Sequence, residues 1–320
     1  MIDLVRRENG WTGGQYSVVR ALVGLYLLVH FVALIPYGAE LFSSQGVLPN
    51  ASLSPLGRAF PNVLSVYDSP GFVVLLLAIG VALSVAFAVG YRDRLAAVAL
   101  WYVWACLFGR NPLISNPSIP YIGWLLLAHA ALPAAPFGSW AARGRVDPGG
   151  GWSFPRPLFL VAWIVLAAGY SYSGYTKLVS PSWLDGSALR KVVENPLARP
   201  TLVQSTLLSL PQELLRFPTY AALALELLFL PLALVARVRP WLWGALFAMH
   251  LGLIVLIDFA DLSGAMLLFH LFTFDPAWVP RRGKPAPERV YYDGQCGLCH
   301  GAVRLLLAED RDGSAFRFSP

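Results

Sequence analysis

Three lysines stand against twenty-one arginines in this chain, and one of them occupies a costly position. Lys177 closes the stretch Leu158–Trp183, LFLVAWIVLAAGYSYSGYTKLVSPSW, which begins as an apolar helix and turns polar in its last third. At about 3.6 residues per turn, Tyr170, Ser173, Gly174 and Lys177 fall on one face. A lysine at the margin of a hydrocarbon layer either snorkels to the headgroups or faces a wet, protein-lined cavity. Arginine supplies nearly all the other positive charge, and the residues beneath Lys177 are small and hydroxylic, which suits a cavity wall. Lys177 is therefore the leading candidate for proton chemistry. An acid beside it would favour the ammonium, and dry surroundings the free amine.

Other polar groups interrupt the apolar runs: Arg20, His30, Glu226, His250, His270, and Asp258 and Asp261 at one mouth. Intramembrane ionisable residues are candidates for function, although any one can equally serve as an interhelical hydrogen bond. His30, Glu226, His250, Asp258 and Asp261 fall in the same half of the layer as Lys177. Tyr170, Ser173, Tyr175, Trp183 and Asn116 complete the supporting polar set. A second chemistry sits near the C-terminus in DGQCGLC, where Cys296 and Cys299 form a CxxC behind Asp293. A CxxC that opens a helix puts its first thiol at the positive end of the dipole, making it an attacking thiolate that the second thiol resolves. Zinc would need a second cysteine pair, and the one other cysteine, Cys106, reads as packing, so no metal is expected.

These groups need elements to hold them. The 320 residues are 57% hydrophobic and 13% charged, where soluble domains carry about a quarter charged. Mean hydropathy is +0.58. The sequence predicts an all-α polytopic membrane protein of about eight transmembrane helices, roughly 16–37, 71–90, 92–109, 119–135, 157–179, 217–236, 240–257 and 260–275. The net charge of +6 is then topology and not nucleic-acid affinity. Basic residues gather at Arg6 and Arg7, Arg92 and Arg94, Arg143, Arg145 and Arg156, Arg237 and Arg239, and from Arg281 to Arg289. The positive-inside rule thus gives N-in and C-in, with Lys177 at an external end. The polar stretch Met1–Tyr16 gives no sign of a cleavable signal peptide. Long external segments at 38–70 and 180–216 are expected to lie on the interface, and 136–156 to link two halves. The expected domains are a membrane domain at 1–280, a Pro/basic linker at 281–289, and a strand–helix α/β segment at 290–320.

The motifs FSSQGVLPNASLSP, GYTKLVSPSWLDGSAL, ALELLFLP, MHLGL and LFHLFTFDPAWVP resemble the HTTM domain, the membrane domain of vitamin K-dependent gamma-carboxylases. The resemblance covers roughly residues 10–280. It implies that Lys177, followed by Leu178 and then Trp183, is the base that deprotonates a reduced quinone, vitamin K- or menaquinol-like. Where the carboxylases carry Asn-His this chain has Asn116, Pro117 and Ser118, with His129 some three turns on, which argues against glutamate carboxylation. NPSIPYIGW also fits members resembling the multi-pass protein that matures a sporulation-delaying toxin. The strand VYY, then DGQCGLC and the helix HGAVRLLLAEDR, resemble the DCC (DUF393) thioredoxin-like thiol-disulfide oxidoreductases, with Asp293, Cys296 and Cys299 as the motif. A thioredoxin-like unit needs roughly a hundred residues to bury a core, so that segment is expected to be incomplete.

Two functions follow. One is a quinol-coupled enzyme of the cell membrane that modifies an external peptide or small molecule, with a cytoplasmic redox dithiol. The other is a maturation or binding factor for a secreted peptide, in which Lys177 pairs with an acid. Transport is the weaker reading, because no matching half-helices occur in two repeats.

Overall fold

The computed structural model describes residues 10–56, 59–279, 287–310 and 313–320. Arg6, Arg7, Arg58, Arg281, Arg282, Lys284 and most of the expected linker lie outside them. The chain is mostly helical. Among the described residues, four helical stretches are long and apolar enough to cross a membrane: Gly13–Phe42, Pro70–Val89, Arg156–Lys177 and Arg239–Leu256. Ile119–Ala131 and Asp261–Thr273 are apolar but shorter. The described residues divide into two compact units, one of residues 10–155 with those from 275 onward, the other of 156–274. The division falls at the end of the segment expected to link two halves, and 290–320 groups with residues 10–155.

In the first unit, α1 (Gly13–Leu34) starts from a capping box in which the Thr12 hydroxyl accepts the Gln15 N–H at 3.1 Å. A single 3₁₀ turn, Ile35–Tyr37, joins it to α2 (Gly38–Phe42), so helix continues five residues past the expected end. Then come α3 (Pro70–Val89), α4 (Asp93–Arg110) and α5 (Ile119–Ala131). Small residues let α1 and α3 approach: a Cβ on Gly24 would lie 2.6 Å from that of Ala88. Gly90, at φ 74°, ends α3 in the left-handed region and turns the chain into α4.

The second unit is built on α6 (Arg156–Lys177), whose buried residues Phe159, Ala162, Trp163, Leu166, Ala167, Tyr170 and Gly174 trace one helical stripe. After α6 come short helices α7 (Pro181–Leu184), α8 (Ala188–Glu194) and α9 (Leu202–Ser209). The Arg190 guanidinium ties this segment together by donating to the carbonyls of Leu208 at 3.2 Å and Leu210 at 2.8 Å. The helix expected at 217–236 is instead two, α10 (Gln212–Leu227) and α11 (Phe229–Ala233). Pro231 has no N–H for the Leu227 carbonyl, and its ring crowds that oxygen. The Ser171 hydroxyl fills the gap, donating to Leu227 O at 3.1 Å and accepting Leu230 N–H at 2.9 Å. The unit closes with α12 (Arg239–Leu256) and α13 (Ala260–Thr273).

The chain then returns to the first unit. Strands β1 (Glu288–Tyr291) and β2 (Phe316–Ser319) pair in parallel, Glu288 opposite Phe316, with α14 (Gly297–Glu309) as the crossover. This segment docks on α1 through the Thr12 hydroxyl, which donates to the Glu309 carboxylate at 2.7 Å.

Candidate functional site

Lys177 ends α6, and the turn that follows folds Trp183 beneath it, with the amine 4.5 Å from the ring centroid. The same amine is ion-paired with Glu226, whose side chain is 5% exposed against 21% for Lys177. Glu226 stands at the end of α10, next to the break that Pro231 and Ser171 impose. Gly174 lets that end close on α6, since a Cβ there would lie 2.7 Å from Leu227 Cα. One chain break and one glycine thus bring a carboxylate to the amine.

Two turns deeper, the Tyr170 hydroxyl lies 2.9 Å from His250 Nε2 and 2.6 Å from His270 Nε2. His250 Nδ1 is 3.3 Å from the Ser263 hydroxyl, while His270 Nδ1 is buried without a hydrogen-bond partner. A phenol has one proton to give, so one histidine must donate to it. A buried orphan N–H costs more than an orphan lone pair. We therefore assign the proton of His270 to Nε2, donating to Tyr170, and let Tyr170 donate to His250. His250 Nδ1–H then points to Ser263.

Of the expected residues, Lys177, Glu226 and Trp183 meet directly, and Tyr170 and His250 meet one layer below. Ser173 is half-buried on the same helix. Tyr175, expected in support, is 66% exposed and turned off that face, because it sits 100° around the helix from Gly174. Asp258 is exposed and pairs with Arg199 at 3.0 Å, while Asp261 lies in the first turn of α13. His30 and Asn116 belong to the other unit. His30 packs on the Trp104 ring at 4.7 Å, and Asn116 Oδ1 caps the Ser118 N–H at 2.9 Å where α5 begins. His270, which the sequence does not group with the polar residues in the Lys177 half, is Tyr170's closest partner. Its spacing of seven from Ser263 places both on one helix face, which is the signal that points to it.

A second buried cluster, in the first unit, was not anticipated. The Tyr16 hydroxyl contacts His129 Nδ1 at 2.5 Å, and His129 Nε2 and Arg20 Nη1 each lie 3.6 Å from Asp93 Oδ2. Arg20 also donates to Gly138 O at 3.3 Å, and Trp152 stacks on Tyr16 at 5.4 Å.

Both thiols are partly exposed. Cys296 caps α14, its sulfur accepting the Cys299 N–H at 3.5 Å. That backbone N–H, then the Cys299 thiol and the Leu298 N–H, pull Cys296 below the ordinary thiol range. Cys299 is pushed up, chiefly because its S–H is held by Cys296. Asp293 shapes the loop, accepting Gln295 N–H at 2.8 Å. Among the described residues, no group of three His, Cys, Asp or Glu side chains is disposed to hold a metal ion.

No family model, curated protein or solved structure matches this chain. Its chemistry is carried by the residues themselves.

Proposed function

We propose that this is a multi-pass membrane enzyme of the HTTM type, with about eight spans and both termini inside, in which Lys177 and Glu226 form a proton-transfer pair. Its substrate is a lipid-soluble quinol, coupled to modification of an external peptide or small molecule. Cys296 and Cys299 form a separate, DCC-like thiol–disulfide centre on the inner side. The observation that carries the reading is the Lys177–Glu226 pair held over Trp183 at the end of an apolar helix. A quinol fits the surroundings: Leu160, Trp163, Ile164, Ala167, Leu230, Ala233 and Leu234 line an apolar groove suited to a hydrocarbon chain. That groove lies on α6 about 15–25 Å below Lys177, at 1.5 Å rise per residue. When bound, a quinol would supply an acidic hydroxyl and reducing electrons. Lys177 is the group that would take the proton of that hydroxyl, with Glu226 beside it as the partner in the transfer. The Tyr170–His250–His270 hydrogen bonds fix the floor of the site.

The test uses purified full-length protein with a menaquinol and oxygen. Quinone epoxide or an oxidised substrate should form, and Lys177→Ala should abolish it; no product from the wild type ends this reading. One observation favours the alternative, a holding factor for a secreted peptide: the ammonium is already satisfied by Glu226 and Trp183. In that case Lys177→Arg should retain full function.

A further inference from the structure

At the turn between α3 and α4, arginines and aromatic rings form an exposed platform. Tyr91 meets Trp140 edge-on, with ring centroids 6.3 Å apart. The Arg143 guanidinium lies 3.6 Å over the Trp140 ring, and that of Arg92 lies 6.0 Å from the Tyr91 ring. Arg94 donates from Nε to Ala130 O at 2.9 Å and is otherwise exposed. Arg92 adopts φ 43°, an uncommon conformation for a residue with a side chain. The acid next to Arg92 in the chain, Asp93, is buried against Arg20 and His129. Among the described residues no ion pair includes Arg92, Arg94 or Arg143.

A guanidinium stacked on an aromatic face is fixed in place with its N–H edges open, which is the form that grips a phosphate. The platform follows directly on Pro70–Val89, a helix of membrane-crossing length, where lipid headgroups would lie. Exposed Val89 and Leu95 flank it, giving acyl chains an apolar wall. We propose that Arg92 and Arg143, with Arg94 beside them, bind the phosphate of an anionic phospholipid. The apolar flanks decide for a lipid over a free anion. This site shares no residue with the Lys177 pair and stands independently of it.

The test is native mass spectrometry of full-length protein released from nanodiscs containing equal phosphatidylglycerol and phosphatidylcholine. Wild type should retain phosphatidylglycerol preferentially. Each arginine near an anionic headgroup is worth about fivefold in affinity, so R92Q/R143Q should bind about 25-fold more weakly. Because Arg92 holds a tight turn, R143Q alone serves as a second variant, with about fivefold loss expected. Equal retention of the two lipids, or unchanged retention in both variants, overturns the proposal. So does displacement of phosphatidylglycerol by inorganic phosphate at equal concentration, which would mark a site for free anions.

Discussion

Each unit buries a tyrosine hydroxyl against histidine, yet the two clusters differ in how their charges meet water. In the first unit Arg20, Asp93 and His129 are 2%, 5% and 3% exposed, and the charges close on one another. In the second, Glu226 is buried, but Lys177 keeps a fifth of its side chain open beside Trp183. A sealed ion pair in a helix bundle has no route to a substrate and acts on the packing of its helices. A pair with one open member can exchange a proton with something outside it. The comparison separates charge that holds structure from charge available for chemistry.

The largest effect is expected at Asp93. Asp93→Ala leaves Arg20 buried and uncompensated, a loss of about 3–5 kcal/mol, read from denaturant or thermal unfolding in micelles. A shift below about 1 kcal/mol would mean that the pair is not sealed. Glu226→Gln should cost only about 1–2 kcal/mol, because Lys177 can turn to water, while eliminating the proposed activity. If its unfolding matched that of Asp93→Ala, the distinction between the clusters would vanish. Ser171→Ala should cost about 1 kcal/mol and speed hydrogen exchange at the Leu230 amide, since the hydroxyl is that amide's partner at the helix break. Unchanged exchange there would show that the break is held by Pro231 alone.

The smallest effect on stability belongs to the thiols, which are only partly buried, but their pH dependence is distinct. A thiol whose pKa is lowered stays thiolate to lower pH. Cys296 should therefore alkylate with iodoacetamide below the pH at which an ordinary thiol does. Cys299 should require higher pH than an ordinary thiol. Peptide mass spectrometry across pH measures both, and a shared midpoint would remove the capping contact.

Much of the Lys177 site was readable in the chain. Helical spacing alone placed Tyr170, Gly174 and Lys177 on one face, and the apolar runs located the four helical stretches that are long and apolar enough to cross a membrane. The break at Leu228 could have been anticipated from Pro231, although the role of Ser171, some sixty residues earlier, could not. The Asp93–Arg20–His129 cluster escaped because charges at helix ends ordinarily face solvent or headgroups, and only packing shows that these face one another.

Local sequence determined which segments are helical, which are apolar enough for a bilayer, where the CxxC caps a helix, and which residues share a face. Those properties depend on neighbours within about one turn, and the pattern of side chains carries them directly. Tertiary structure alone decided that Glu226 is the acid beside Lys177, that His270 joins Tyr170, and that Asp93 is buried while Asp258 is exposed. A partner across helices is selected by how closely two backbones approach, and that distance is set by a glycine on one helix and a proline break on the other.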